Sequence, residues 1–449
     1  MSWNCALKHS NRAVDLHLRH APLAFCLASL LTSPLAGAAG PRTTGTMLPV
    51  TSCADDGGSG TLRSVMMSAP SGATIDLSQL TCGTITLEQG VVDIGVNDET
   101  LVGPGAEQLT IDGNDQDGIF RASSIEIDGL TLTHGRVTGD FAAGGCIEAF
   151  VDVTLRASRV VSCGAYGTTS AYGGGIAATY EVHLYSSTVA DNTVMASAGP
   201  ALGGGISAQY NAVTAELSTI SGNTATGNPA RGGGVFALGF SAATSSTIDG
   251  NTADFGGGWY CRRSFFQPAY CKFVDSTLSS NTARTSGGGL LVYNAGTINI
   301  ANSTIAFNAA QSGHVGGVLK TGPSTALTII LQSSIFADNT AAVADLAADI
   351  DTDSGAFETV TGGNDLLTTV GHIVPSTFIT DDPLLAPLAD NGGPTQTHAL
   401  PPESPAVDAG NNVAALDTDQ RGRSRVSGAA ADIGSYELQT DGIFADGFD

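Results

Sequence analysis

The sequence predicts an all-β fold, a single-stranded parallel β-helix in which the chain winds into stacked coils. Three observations predict it. The first is a Ser-Thr-apolar phrase followed three or four residues later by Asn. It appears as Ser187-Thr188-Val189, Ser218-Thr219-Ile220, Ser246-Thr247-Ile248, Ser276-Thr277-Leu278, Ser303-Thr304-Ile305 and, with Ser for Thr, Ser333-Ser334-Ile335. The Asn residues are Asn192, Asn223, Asn251, Asn281, Asn308 and Asn339, spaced by 31, 28, 30, 27 and 31. The second is a glycine cluster between them, at 173–175, 203–205, 232–234, 256–258, 287–289 and 316–317. Two markers in constant order at one period signify a repeat architecture. The third is alternation of apolar residues, as in Thr297-Ile298-Asn299-Ile300, which is strand periodicity. The unit is too short and glycine-rich for a helix pair, and no chain of Asn-Gly hairpins indicates a meander.

Stacking gives each repeated position a role. Each coil adds about 4.8 Å and brings every residue next to its equivalents. Val189, Ile220, Ile248, Leu278, Ile305 and Ile335 are expected to form one interior column. The six Asn residues are expected to form a side-chain amide ladder. The glycine clusters mark a corner, where Gly233 is expected to hold a positive φ. The varying Asn spacing requires one turn to be a variable loop.

Taken in order, the chain opens with an expected export signal over residues 1–38. Lys8, Arg12 and Arg19 precede an uncharged apolar run over 21–39, which contains the cleavage pattern Ala36-Gly37-Ala38. Residues 39–60 read as a flexible polar lead-in. In the stretch 61–69, Leu62, Val65, Met66 and Ala69 fall on one helical face, so a short cap helix is expected over the open end of the first coil. Strands follow at 72–77 and 83–87, and the β-helix is expected to span 61–345.

Composition bounds the function. Removing residues 1–38 leaves 15 basic and 41 acidic residues, a net charge of −26. Such a surface repels nucleic acid and anionic lipid. Six cysteines remain, and an even count in an exported chain implies disulfides. Of the fifteen possible pairings, repeat geometry favours neighbours, Cys53–Cys82, Cys146–Cys163 and Cys261–Cys271, the last bridging the base of a loop.

Several runs carry a family resemblance. Thr51-Ser52-Cys53, Gly58-Ser59-Gly60-Thr61-Leu62-Arg63 and Ala73-Thr74-Ile75-Asp76-Leu77 resemble the N-terminal module of exported bacterial β-helix proteins. Gly60 replaces the Cys of that module's signature, and Ser64-Val65-Met66 replaces its Glu-Ala-Ile. The repeats over 173–339 resemble right-handed, pectin-lyase-like β-helix repeats, including those of polymorphic outer-membrane proteins. Residues 362–438 carry Leu388-Ala389-Asp390-Asn391-Gly392-Gly393-Pro394-Thr395, Thr397-His398-Ala399-Leu400, Asp419-Gln420-Arg421-Gly422 and Asp432-Ile433-Gly434-Ser435-Tyr436-Glu437. These resemble the choice-of-anchor Q domain of bacterial surface proteins. The resemblance implies a right-handed solenoid, a small β-rich terminal domain over 346–438 and a place at the outer cell surface. The acidic tail over 439–449, with Phe444 and Phe448, resembles a C-terminal signature of exported proteins and suggests sorting.

The chemistry-bearing residues point to no catalytic site. Lys272 and Lys320 are the only lysines after the signal, and Arg262 and Arg263 lie near Asp254 and Asp275 in sequence without a specified register. Asp112-Gly113-Asn114-Asp115-Gln116-Asp117-Gly118 and the acidic stretch 345–353 resemble calcium loops but lack the spacing of one. His134, His183, His314, His372 and His398 share no spacing and read as surface or turn residues. The expectation is a monomeric, exported binding, adhesive or structural protein without a cofactor, whose partners are extracellular glycans or surface proteins. The alternative on the same fold is an extracellular polysaccharide lyase or glycoside hydrolase.

Overall fold

The stretch from Ile176 shows how one coil is made. It lays down strands Ile176–Ala178, Glu181–Tyr185, Thr188–Ala190 and Thr193–Ala196. Equivalent strands of successive coils pair in parallel into sheets of 10, 12, 12 and 10 strands, called here the first to the fourth in that order. The computed structural model describes residues 46–264, 270–294, 296–322, 327–343, 347–352 and 358–439; the expected export signal and the tail beyond 439 lie outside them. The parallel β-helix is thus set by the register of the chain itself.

The interior column forms in the third sheet. Val189 pairs with Ile220, Ile220 with Ile248, Ile248 with Leu278 and Leu278 with Ile305. All five are buried, each contributing roughly 1.5–3 kcal/mol of apolar burial. The sixth member differs from expectation. Phe336, not Ile335, lies opposite Ile305. Ile335 instead continues the outward threonine column, opposite Thr304. The cause is the extra residue between Ile335 and Asn339: counted back from the Asn, the interior position is Phe336.

The glycine corner also refines the expectation. The positive φ belongs to the first glycine of the cluster, Gly232 at 67°, and not to Gly233. Gly233 is required for a different reason. A Cβ there would lie 2.3 Å from the Gly257 carbonyl of the next coil, so the coils approach too closely for any side chain.

Both ends of the expected solenoid move outward. Residues 46–60 are not a flexible lead-in. Met47–Pro49 pairs with the strand Ala73–Asp76, and the partly buried Leu48 packs on the core. The cap helix is Leu62–Ser68, with Thr61 as N-cap accepting from the Ser64 N–H and Leu62 and Met66 buried. It also buries Arg63, whose Nε and Nη2 donate to both Asp55 oxygens at 2.8 Å. At the other end, stacking passes the expected boundary at 345. Ile350–Thr352, Glu358–Gly363, Asp365–Leu367 and Phe378–Ile379 extend the coils.

The remaining segment, 381–438, is not a β-rich domain. Its strands are the antiparallel pair Leu388–Ala389 and Thr397–His398. Leu400, Ala406 and Ile433 pack instead on Ile335 and Leu366, outward residues of the third sheet. Polar contacts complete the attachment. The Thr277 hydroxyl bonds Gln420 Oε1 at 2.7 Å and Ser435 Oγ at 2.9 Å, and Ser279 Oγ lies 2.9 Å from His398 Nε2. The segment therefore covers the repeated threonines from Thr247 onward, which are buried while Thr188 and Thr219 are not. Thr277→Val keeps the shape and removes the hydroxyl, leaving buried Gln420 without its donor. We expect a loss of about 1–2 kcal/mol, read by chemical unfolding; an unchanged midpoint would show that the segment does not depend on this contact.

Candidate functional site

The residues singled out by period are placed as follows. Asn223 Nδ2 donates to Asn251 Oδ1 at 2.9 Å, and the Asn223 N–H donates to the same oxygen at 3.0 Å. The same pair of bonds links every Asn from Asn192 to Asn339. The ladder ends on Asp349, whose Oδ1 accepts from Asn339 Nδ2 at 2.8 Å. A second ladder runs beside it in serine: each Ser hydroxyl accepts from the N–H of the Ser in the preceding coil, as from Ser218 to Ser246. Cys53–Cys82, Cys146–Cys163 and Cys261–Cys271 are disulfide-bonded, with Cα separations of 6.4, 5.6 and 6.5 Å. Cys163 stands at the head of the Asn ladder, its N–H donating to Asn192 Oδ1. These residues hold the scaffold together.

The arginine–carboxylate grouping near 262 does not assemble. Arg262 lies over the Tyr293 ring at 5.4 Å, Asp254 pairs with Arg284, and buried Asp275 faces Arg425. Burial pushes Asp275 up to about 7. The acidic loops are likewise internally occupied. Asp112 accepts from the Asn114 N–H and lies 3.3 Å from His134 Nδ1; Asp349 accepts from Thr368 and Thr369, and Asp351 from the N–H groups of Ala347 and Thr352. Asp345 and Asp353 lie outside the described residues. His398 is no surface residue. It is 2% exposed, and burial lowers its pKa.

The most site-like feature lies elsewhere, at the edge where the first sheet turns into the second. Phe150, Tyr180 and Tyr210 stand in that turn on three successive coils, at a spacing of 30 residues, while Phe240 and Tyr270 follow in the second sheet itself, opposite Ala212 rather than Tyr210. The first three are 45–49% exposed, unusual for large rings. Tyr180 and Tyr210 have centroids 6.1 Å apart, and Phe240 and Tyr270 are stacked at 5.6 Å. Two coil steps make the exposed row roughly 10 Å long.

Polar side chains flank the row on the second sheet. Asp152 and Glu181 are opposite each other in register. Glu181 Oε2 lies 2.9 Å from His183 Nε2, and His183 Nδ1 lies 2.8 Å from the Thr214 hydroxyl. Asn211 donates its amide to the other Glu181 oxygen. The His183 contact lowers the Glu181 pKa, whereas burial, reinforced by Glu181, raises that of Asp152. Just beyond, a groove of about 260 Å³ is lined by Asp98, Thr100, Ser124, Glu126, Asp152 and Thr154. Exposed rings beside fixed hydrogen-bonding groups can take a ligand that has both flat apolar faces and hydroxyls.

No protein-family model and no curated protein matches the chain. Among solved structures it is similar to one titled "Crystal structure of pectate lyase Pel9A", at 12% identity and a TM-score of 0.41, over 88% of this chain and 97% of that one.

Proposed function

We propose that this is an exported glycan-binding β-helix protein of the cell surface, which holds a polysaccharide along the aromatic row without cleaving it. The observation that supports the reading is the row itself: an exposed aromatic side chain in the same turn on three successive coils, Phe150, Tyr180 and Tyr210. A polymer of repeating sugars running along the solenoid axis presents ring faces to it at intervals, while Glu181, His183, Asn211 and Thr214 offer donors and acceptors already oriented by each other. The strands beneath the row are paired on both sides, which suits side-chain recognition of a glycan better than strand addition by a peptide. Three disulfides suit an oxidising compartment. The resemblance of 362–438 to the choice-of-anchor Q domain supports placing the protein at the outer surface.

Affinity electrophoresis against a panel of neutral, acidic and amino polysaccharides tests the reading. Removing both rings in Tyr180→Ala/Tyr210→Ala is expected to weaken binding by about tenfold or more, with melting unchanged because both rings are half exposed. Retention of full affinity by the double variant removes the row from the site. Release of reducing or unsaturated ends from any polymer overturns the non-catalytic assignment.

A further inference from the structure

The charge around the row selects among glycans. Asp98 and Asp152 line the groove and, among the described residues, are held by backbone N–H groups alone, those of Ser124 and Glu181. Glu126 is paired with Arg156 and Glu181 with His183. Asp152 follows Phe150 by two residues, and Glu181 follows Tyr180 directly. Asp152 therefore sits beside exposed rings, with Asp98 in the groove two coils before it, in a chain of net charge −24. Burial, and after it the nearby Glu181 and Asp98 carboxylates, raise the proton affinity of Asp152. A polyuronate brought to this end meets like charge at Asp98 and Asp152. The opposite holds for a sugar bearing an ammonium group, which gains a carboxylate partner and a tyrosine face at once. Lys272 stands two residues after Tyr270 in a later strand of the second sheet, so that face is acidic at its first coils and carries a cation farther along, and the cationic part of a ligand belongs at Asp98, Asp152 and Tyr180.

Resting on the glycan-binding reading, we propose that the ligand is an amino-sugar polymer with free amines, seated with its ammonium groups on Asp98 and Asp152 and its rings on Phe150, Tyr180 and Tyr210.

The test uses the full chain and titration calorimetry with a soluble glucosamine oligomer, its N-acetylated counterpart, polygalacturonate and a basic peptide of equal charge. The amine oligomer is expected to bind about tenfold or more tightly than the acetylated one, and to weaken when salt rises from about 0.05 M to about 0.5 M. Asp152→Asn, which keeps the acceptor for the Glu181 N–H, is expected to weaken the amine oligomer alone. Tyr180→Ala/Tyr210→Ala is expected to weaken both oligomers. Equal, tyrosine-dependent binding of both oligomers overturns the charge inference and leaves the glycan reading standing. So does tyrosine-dependent binding of polygalacturonate in preference to the amine. Peptide binding that is as tight and indifferent to the tyrosines reduces the surface to a general cation patch and overturns the proposal. Failure of every glycan overturns the proposal and the glycan reading together.

Discussion

Replacing Asn251 by alanine is expected to cost about 4 kcal/mol, in the range where a single change threatens a fold. Asn251 is fully buried, and its Oδ1 accepts twice from Asn223, from the backbone N–H and from Nδ2. Its own Nδ2 donates to the Ile220 carbonyl and to Asn281 Oδ1. Alanine leaves two donors of Asn223 unpaired in a dry interior, each costing about 1–3 kcal/mol, and a small cavity besides. Asn251→Asp separates the two halves of the argument. Aspartate retains the acceptor for Asn223 but turns a donor into a second acceptor, facing the Ile220 carbonyl and Asn281 Oδ1. A carboxylate is therefore tolerated only where the ladder stops, which is where Asp349 stands. Denaturant unfolding is expected to rank parent above both variants. A midpoint for Asn251→Ala within experimental error of the parent would show that the ladder is ornament rather than support.

What the sequence makes legible follows from what is local and periodic. The Asn and glycine markers repeat because each coil places the same backbone need at the same corner, so period alone implies the winding. Cysteine pairing was legible for a similar reason, since coil neighbours are near in sequence. The register at residue 335 was not, because one inserted residue moves a whole strand to the opposite face, and Ser333-Ser334-Ile335 preserves the wording while Phe336 takes the interior place. The attachment of 381–438 is illegible for a different reason. Gln420 meets Thr277 across 143 residues, and no local pattern encodes that meeting. The aromatic row at 150, 180 and 210 carries a legible signal in its spacing of 30, although the same spacing continued to 240 and 270 leads into the second sheet. The row lies between the glycine and Asn markers, mixes Phe with Tyr, and reads as unrelated residues until the turn they share is known.

Glu99 yields the second large effect, and its sign depends on pH. The strand Asp98–Val102 alternates, so Glu99 points inward with Leu101, in a column occupied by Ala73 and Ile125 on neighbouring coils. It is 3% exposed, and neither carboxyl oxygen has a hydrogen-bond partner among the described residues. Burial pushes its pKa from 4.5 up to about 7. Below pH of about 4.5 the carboxyl is protonated in both the folded and unfolded chain, and titration of Glu99 has no effect on stability. Between about 4.5 and 7 the unfolded chain ionises first, so stability falls as pH rises; above about 7 the loss is complete. The gap between the two values corresponds to about 3 kcal/mol. Glu99→Gln removes the titration and leaves the size unchanged. Its stability relative to the parent is expected to be nearly level at pH of about 4 and to grow to about 3 kcal/mol in its favour at pH of about 8. Asp275, raised to about 7, and Asp365, raised to about 8, titrate in both proteins and cancel in the difference. Glu99→Val, which matches Val153 and Val182 of the same column, is expected to show the same pH dependence with an added pH-independent gain from apolar burial. Unfolding midpoints followed from acid to mildly alkaline pH decide the matter: curves for parent and Glu99→Gln that stay parallel throughout would mean that Glu99 reaches solvent or a partner and carries its charge at no cost.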